Sequence, residues 1–117
     1  MTQPPEKESL SYKVGFSDAE IASYEVKGST CYVRISLWNA QKIEIVFSEV
    51  AGIIDRGPKD ISDIVVSSEG SQFFDEIISI AYETIPVNTG LRLYQLIGLD
   101  DFPVMEIVAK NAEISER

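Results

Sequence analysis

The chain has 117 residues, 44% hydrophobic and 25% charged, which is ordinary for one folded domain with a real core. A net charge of −9 without clustered Lys and Arg argues against nucleic-acid binding and adsorption to anionic lipid. The absence of histidine and the presence of one cysteine exclude Ser–His and Cys–His nucleophile pairs, histidine-ligated zinc and an internal disulfide.

The start of the chain is polar and contains two prolines with alternating charge. Residues 1–8 therefore predict a disordered tail, and residues 9–117 predict a single domain. No apolar run approaches the roughly 20 residues of a membrane-spanning helix. The polar N-terminus also lacks the apolar core of a signal peptide, so we expect no membrane association and a cytoplasmic location.

Four segments with apolar residues at every second position follow the tail and predict β-strands. Gly28-Ser29 favours a two-residue hairpin turn, and residues 38–40 favour a three-residue loop with Asn39 or Ala40 in the left-handed conformation. These turns predict a four-stranded antiparallel meander with one apolar face. The predicted cross-strand pairs are Val14–Tyr24, Tyr24–Val33, Val26–Cys31, Val33–Ile45, Ile35–Ile43 and, on the outer face, Lys13–Glu25 and Arg34–Glu44.

Residues 48–70 leave strand, helix and loop open. Residues 50–55 extend the fourth strand if a bulge occurs at Gly52, and Arg56-Gly57-Pro58 ends it. Residues 61–66 read as a short strand or a helical turn, with the strand favoured.

Residues 71–84 predict the principal helix, because apolar residues recur there at helical spacing. Ser71 suits the N-cap, and Pro86 stops the helix. Two apolar residues at the edges of the stripe, Ile80 and Tyr82, leave a strand as the alternative. The predicted stripe consists of Phe73, Phe74, Ile77, Ile78 and Ala81.

Residues 91–97 and 104–110 predict a closing hairpin, with Leu93 opposite Ile107. Both faces of this hairpin are partly apolar, which indicates a place inside the sheet or a homodimer contact. The fold class predicted is therefore α+β: an N-terminal four-strand meander plus a C-terminal hairpin, covered by one principal helix.

The acidic residues are concentrated in residues 48–83, which carry eight carboxylates and two basic side chains and so contribute −6 of the −9. Asp75, Glu76 and Glu83 fall on the polar face of the predicted helix, and Asp60 and Asp63 lie in the preceding segment. A localised negative field steers and binds basic partners. A solvated surface that only serves solubility explains the same pattern.

Three other features have both a functional and a simpler explanation. Tyr32 and Trp38 have outward parity on the third strand, where they form a partner surface or are covered by a neighbouring segment. Cys31 has inward parity and is expected to be buried rather than reactive. Asp100-Asp101 fits a turn better than a cation site, so no metal and no cofactor are expected.

A weak resemblance is carried by Phe47-Ser48-Glu49-Val50 and by the C-terminal stretch 93–109, a strand, an Asp-rich turn and a second strand. These elements resemble small bacterial cytoplasmic α+β proteins, including immunity proteins of polymorphic toxin systems. The resemblance implies an interaction protein and contains no catalytic motif, so it transfers no functional residue.

The function expected from the sequence is a non-enzymatic protein-interaction module, with an immunity-type inhibitor as one form. Its acidic helix face would bind a basic partner. The alternatives are a small-molecule-binding domain or enzyme with a pocket between helix and sheet, and a structural homo-oligomer built through the C-terminal hairpin.

Overall fold

The computed structural model describes residues 8–9, 15–67, 73, 75–77 and 90–116. Within these residues all strands belong to one antiparallel sheet with the order β1-β6-β7-β8-β4-β3-β2-β5. The strands are β1 (Glu8–Ser9), β2 (Ala19–Lys27), β3 (Thr30–Ser36), β4 (Lys42–Asp55), β5 (Asp60–Ile61), β6 (Asp63–Ser67), β7 (Arg92–Ile97) and β8 (Pro103–Glu116).

The sheet curls until it is nearly a closed barrel. β5 pairs with β2 at one end of the strand order, whereas β6 follows β5 after a single residue and pairs with β7. That residue, Ser62, donates its backbone N–H to the carbonyl oxygen of Ile97 across 2.8 Å. One continuous stretch of chain therefore bridges strands from the two ends of the sheet.

The hairpins β2–β3 and β3–β4 have the predicted register. Val26 lies opposite Cys31, and Ile35 lies opposite Ile43. Gly28 has a φ of 60° in the first turn, and Ala40 has a φ of 67° in the second. Both sequence-based turn assignments are confirmed.

The first strand of the predicted meander falls mainly on residues 10–14, which lie outside the described residues, as do its pairs Val14–Tyr24 and Lys13–Glu25. In the part of the chain that the structure describes, β2 has β5 as its second neighbour. Residues 1–7 of the predicted tail are also outside the described residues. Glu8 and Ser9 form β1, which pairs with β6.

β4 continues through residue 55, as the sequence suggested, and the ladder to β8 shifts between Val50 and Gly52. Glu49 adopts a left-handed backbone conformation with a φ of 53° beside this bulge. Bulges bend a strand and increase its twist. β4 and β8 pair along both halves, so this bend carries the sheet around its own core.

The prediction of an α+β domain with one principal helix covering the sheet is wrong. The described residues are nearly all strand, with no helix of seven or more residues. The helical ones are Phe73 and residues 75–77, and the rest of the predicted helix 71–84 lies outside the described residues. The apolar inner face needs no helical cover because the curved sheet packs against itself. Its fully buried side chains include Val33, Ile45, Phe47, Leu96 and Ile107.

The short helical segment contacts the outer face of the sheet. Phe73 and Ile77 pack against the buried side chains of Leu91, Leu93 and Val108. The sequence predicted that Phe73 and Ile77 pack against the sheet, but it assigned them to the inner face instead of the outer face.

The C-terminal hairpin β7–β8 lies inside the sheet, between β6 and β4. Its register differs by one residue from the prediction, because Leu93 lies opposite Val108. The ladder shifts at Ile97, next to the turn. Both faces of this hairpin are apolar, so alternation gave no constraint on its register.

Candidate functional site

The predicted partner-binding acids that the structure describes lie on three different elements, the helical segment, β5 and β6. Asp75 and Glu76 are exposed on the helical segment, and Asp60 is exposed in β5. Asp63 is partly buried in β6, where its carboxylate accepts the N–H of Ile64 across 2.8 Å. Glu83 lies outside the described residues. The role of these acids in partner binding stays a prediction.

Of the two aromatics predicted to face outward on the third strand, Tyr32 lies on β3, whereas Trp38 lies in the loop that follows it. Trp38 is 62% exposed in the loop between β3 and β4. Tyr32 is half-buried on the outer face between Glu25 of β2 and Val46 of β4. The ammonium of Lys27 lies 5.8 Å from its ring centroid. Their binding role likewise stays a prediction.

A depression with a volume of about 580 Å³ contains exposed apolar side chains, and we call it the Phe102 groove. It lies where the loop after β4 meets the turn between β7 and β8. Leu99 and Phe102 in this turn are 65% and 59% exposed. The lining residues are Pro58, Asp60, Gly98, Leu99, Asp100, Phe102 and Val104.

The turn that carries Leu99 and Phe102 is held by its own backbone. The N–H of Gly98 donates to the carbonyl of Phe102 across 2.8 Å, and the N–H of Asp101 donates to the carbonyl of Gly98 across 3.2 Å. Asp101 has a φ of 58°, a conformation that Asp tolerates better than most residues. Asp100-Asp101 is therefore a turn. No cluster of three or more His, Cys, Asp or Glu side chains able to hold a metal occurs in the described part of the chain.

Arg56 connects the loop after β4 to the start of β8, beside the groove. Its backbone N–H donates to Val104 across 2.8 Å, and its guanidinium donates to the carbonyl of Pro103 across 3.4 Å. The guanidinium also lies 3.6 Å from the carboxylate of Glu106 and 5.8 Å from the Phe102 ring centroid. Glu106 is buried and accepts a hydrogen bond of 3.1 Å from Gln95.

The charge of the groove is negative because its neighbouring cations are already paired. Arg56 pairs with Glu106, and Lys59 lies 3.7 Å from the carboxylate of Asp55. Among the described residues, no basic side chain forms an ion pair with Asp60, Asp100 or Asp101. Asp60 and Asp100 line the groove, and Asp101 follows Asp100 in the same turn, so these three carboxylates set the charge that a ligand of Leu99 and Phe102 meets.

Two other places in the molecule contain a reactive type of side chain or a cluster of charged side chains. Cys31 is fully buried, and burial raises the pKa of its thiol to about 11, so it is not poised as a nucleophile. A second depression of about 370 Å³ contains Arg34 and Lys42. Arg34 is paired there with Glu25 at 3.4 Å and Glu44 at 3.2 Å.

Tyr24 lies beside Asp55 near the end of β4. Burial raises the pKa of its phenol, and the charge of Asp55 and a hydrogen bond to it act in the same direction. The ammonium of Lys59 is 6.0 Å from the ring centroid. These contacts stabilise the loop after β4, which forms one wall of the Phe102 groove.

Comparison with protein-family models, with curated proteins and with solved structures gives no match. The resemblance to immunity proteins therefore stays a prediction. No helix among the described residues has the length and apolar character needed to cross a membrane.

Sequence reasoning identified Asp60 but missed Leu99, Phe102 and Pro58 as members of a common surface. Asp100 was assigned to a turn alone. The informative pattern was an Asp-rich turn that also contains two large apolar residues, which turn chemistry does not require.

Proposed function

We propose that the protein is a non-enzymatic binding module that engages a basic protein partner at the Phe102 groove. The observation that carries this proposal is the combination of two exposed large apolar side chains with three carboxylates that no cation pairs with in the described residues. Aromatic and apolar anchors surrounded by complementary charge are typical of protein interfaces. An immunity-type inhibitor, which blocks its partner by binding alone, is one form that such a module takes.

The openness of the groove favours a macromolecular partner over a small molecule. Small-molecule sites enclose most of their ligand, whereas Leu99 and Phe102 leave more than half of their surface to solvent. Phosphate-bearing partners are disfavoured because the groove presents carboxylates. The proposal moves the partner surface from the predicted helix face to this groove and retains Asp60 from the predicted set.

A displayed random-peptide library tests the proposal, because it offers the protein basic, acidic and apolar sequences side by side. We expect wild-type protein to select sequences enriched in Lys and Arg, with affinities that fall as sodium chloride rises from about 50 to about 500 mM. In the groove-charge variant, Asp60→Asn, Asp100→Asn and Asp101→Asn are combined. Three exposed ion pairs at about 0.5 kcal/mol each predict a loss of about tenfold in affinity.

The control variant combines Asp75→Asn, Glu76→Gln and Glu113→Gln, which removes the same number of exposed negative charges elsewhere. It is expected to keep wild-type affinity for the selected peptides. Equal losses in the two variants would mean that net charge alone attracts the peptides. A loss confined to the control variant would return the partner surface to the helical segment.

A further inference from the structure

We propose that the Phe102 groove recognises a peptide segment in which an apolar side chain is flanked by Lys or Arg. This inference rests on the proposed function and specifies the chemistry of its ligand. The groove takes the apolar side chain between Leu99 and Phe102, and the carboxylates of Asp60, Asp100 and Asp101 pair with the flanking cations.

The apolar half of this recognition follows from two exposed hydrophobic side chains that lie together in one turn. Val104, which is buried, and Pro58 also line the groove. Leu99 and Phe102 are exposed by 65% and 59%. Covering this surface with one apolar side chain removes its contact with water, and this burial of apolar area favours association.

The groove is fixed before a ligand arrives. The backbone hydrogen bonds of the turn hold Leu99 and Phe102, and Arg56 joins the Phe102 ring to buried Glu106. A preformed surface loses less conformational freedom on binding. Arg56 also adds little positive charge to the groove, because Glu106 is only 3.6 Å from its guanidinium.

β5 and the turn between β7 and β8 approach each other closely at Gly98. A methyl group added to Gly98 would lie 3.5 Å from the carbonyl oxygen of Asp60 and 2.7 Å from a methyl of Val104. The β5 wall and the turn therefore approach each other over a floor that admits no side chain at residue 98. Asp60 of β5 and Asp100 of the turn both line the groove.

A second observation points to a cation beside Asp60. Asp60 lies directly opposite Glu20 in the ladder between β5 and β2. Like charges at directly opposed positions destabilise a sheet. A Lys or Arg of the partner placed here offsets that repulsion. The relief of the repulsion then adds to the free energy of binding.

Three nonapeptides measured by isothermal titration calorimetry test the inference. One alternates Lys and Leu, one alternates Lys and Ser, and one alternates Glu and Leu. We expect the Lys–Leu peptide to bind wild-type protein at least tenfold more tightly than the Lys–Ser peptide, and the Glu–Leu peptide to show no binding. The advantage of Leu over Ser should vanish when Leu99→Ser and Phe102→Ser are combined.

The matched control combines Val26→Ser with Trp38→Ser, which removes two exposed hydrophobic side chains outside the groove. It should bind the Lys–Leu peptide as wild type does, and circular dichroism should show that both variants remain folded. Equal binding of the Lys–Leu and Lys–Ser peptides, lost in the groove-charge variant, would overturn the inference and leave the proposed function standing. Binding of the Glu–Leu peptide, or no binding of either Lys peptide, would overturn both.

Discussion

Individual residues with left-handed backbone mark the places where the chain changes direction. Ala40 and Asp101 lie in hairpin turns, Asp18 precedes β2, and Glu49 stands beside the bulge of β4. The sequence located the first two turns because Asn, Asp and Gly concentrate there. It did not single out Glu49, because Glu has no preference for this conformation and only the ladder shift requires it.

Cys31 gives a prediction about stability at alkaline pH. Burial raises the pKa of its thiol from 9.0 to about 11. Between these values the unfolded chain has lost the thiol proton and the folded chain keeps it, so stability falls as pH rises through this window. From about pH 8 to about pH 10 we expect the free energy of unfolding to drop by about 1.4 kcal/mol through this residue.

Urea unfolding of wild type and Cys31→Ala at both pH values isolates this contribution. Wild type should lose about 1.4 kcal/mol more than the variant, since alanine does not titrate. Tyr24 and Tyr94 also have raised pKa values but are common to both proteins. Their contributions therefore cancel apart from the effect of Cys31 on the pKa of Tyr24, which is the smallest of its causes. Identical pH dependence of the two proteins would show that Cys31 is not buried in the folded state.

At the scale of elements, period-2 alternation predicted strands and register where one face is apolar and buried, as in β3 and the first half of β4. It also gave the register of β2, although Tyr24 and Val26, which it placed on the buried face, are exposed. It failed for the register of β7 and β8, because their two faces are both covered. The helix was assigned to the inner face by the rule that a sheet needs a cover. The bend at the β4 bulge lets the sheet cover itself, and a bulge of this kind has only a weak sequence pattern.

Gly52 tests the contact between the helical segment and the outer face of β4. A Cβ added at Gly52 would collide with the Cδ1 atom of Ile77, lie 2.9 Å from its Cγ1 atom and approach Phe73 at 3.4 Å. We therefore expect Gly52→Ala to destabilise the protein by about 1–3 kcal/mol in chemical unfolding. Without the collision, alanine in a strand interior would stabilise by about 0.5–1 kcal/mol.

The same substitution in an Ile77→Ala background supplies the control. Removal of the Ile77 side chain opens the space, so Gly52→Ala should then be neutral or stabilising. The two single variants and the double variant form a cycle whose coupling energy reports the contact. A coupling energy near zero would mean that Ile77 does not lie over Gly52.

At the scale of the whole molecule, the acidic side chains behind the net charge of −9 differ in whether a basic side chain pairs with them. Acids such as Glu25, Glu44 and Glu106 are paired with arginine, and Asp55 is paired with lysine. The carboxylates around the Phe102 groove are left to face solvent together with two large apolar side chains. The sequence predicted an acidic binding surface but not its position, because residues 58–60 and 98–104 meet only after the sheet has curled.

Amide chemical-shift mapping tests most directly whether the Phe102 groove is the binding surface. Uniformly ¹⁵N-labelled protein is titrated with the peptide of alternating Lys and Leu. We predict that the largest shifts fall at residues 59–60 and 98–102, with small shifts at residues 32–38 and 75–76. Largest shifts at either of those two control regions, or shifts spread evenly over the acidic surface, would contradict the assignment of binding to the groove.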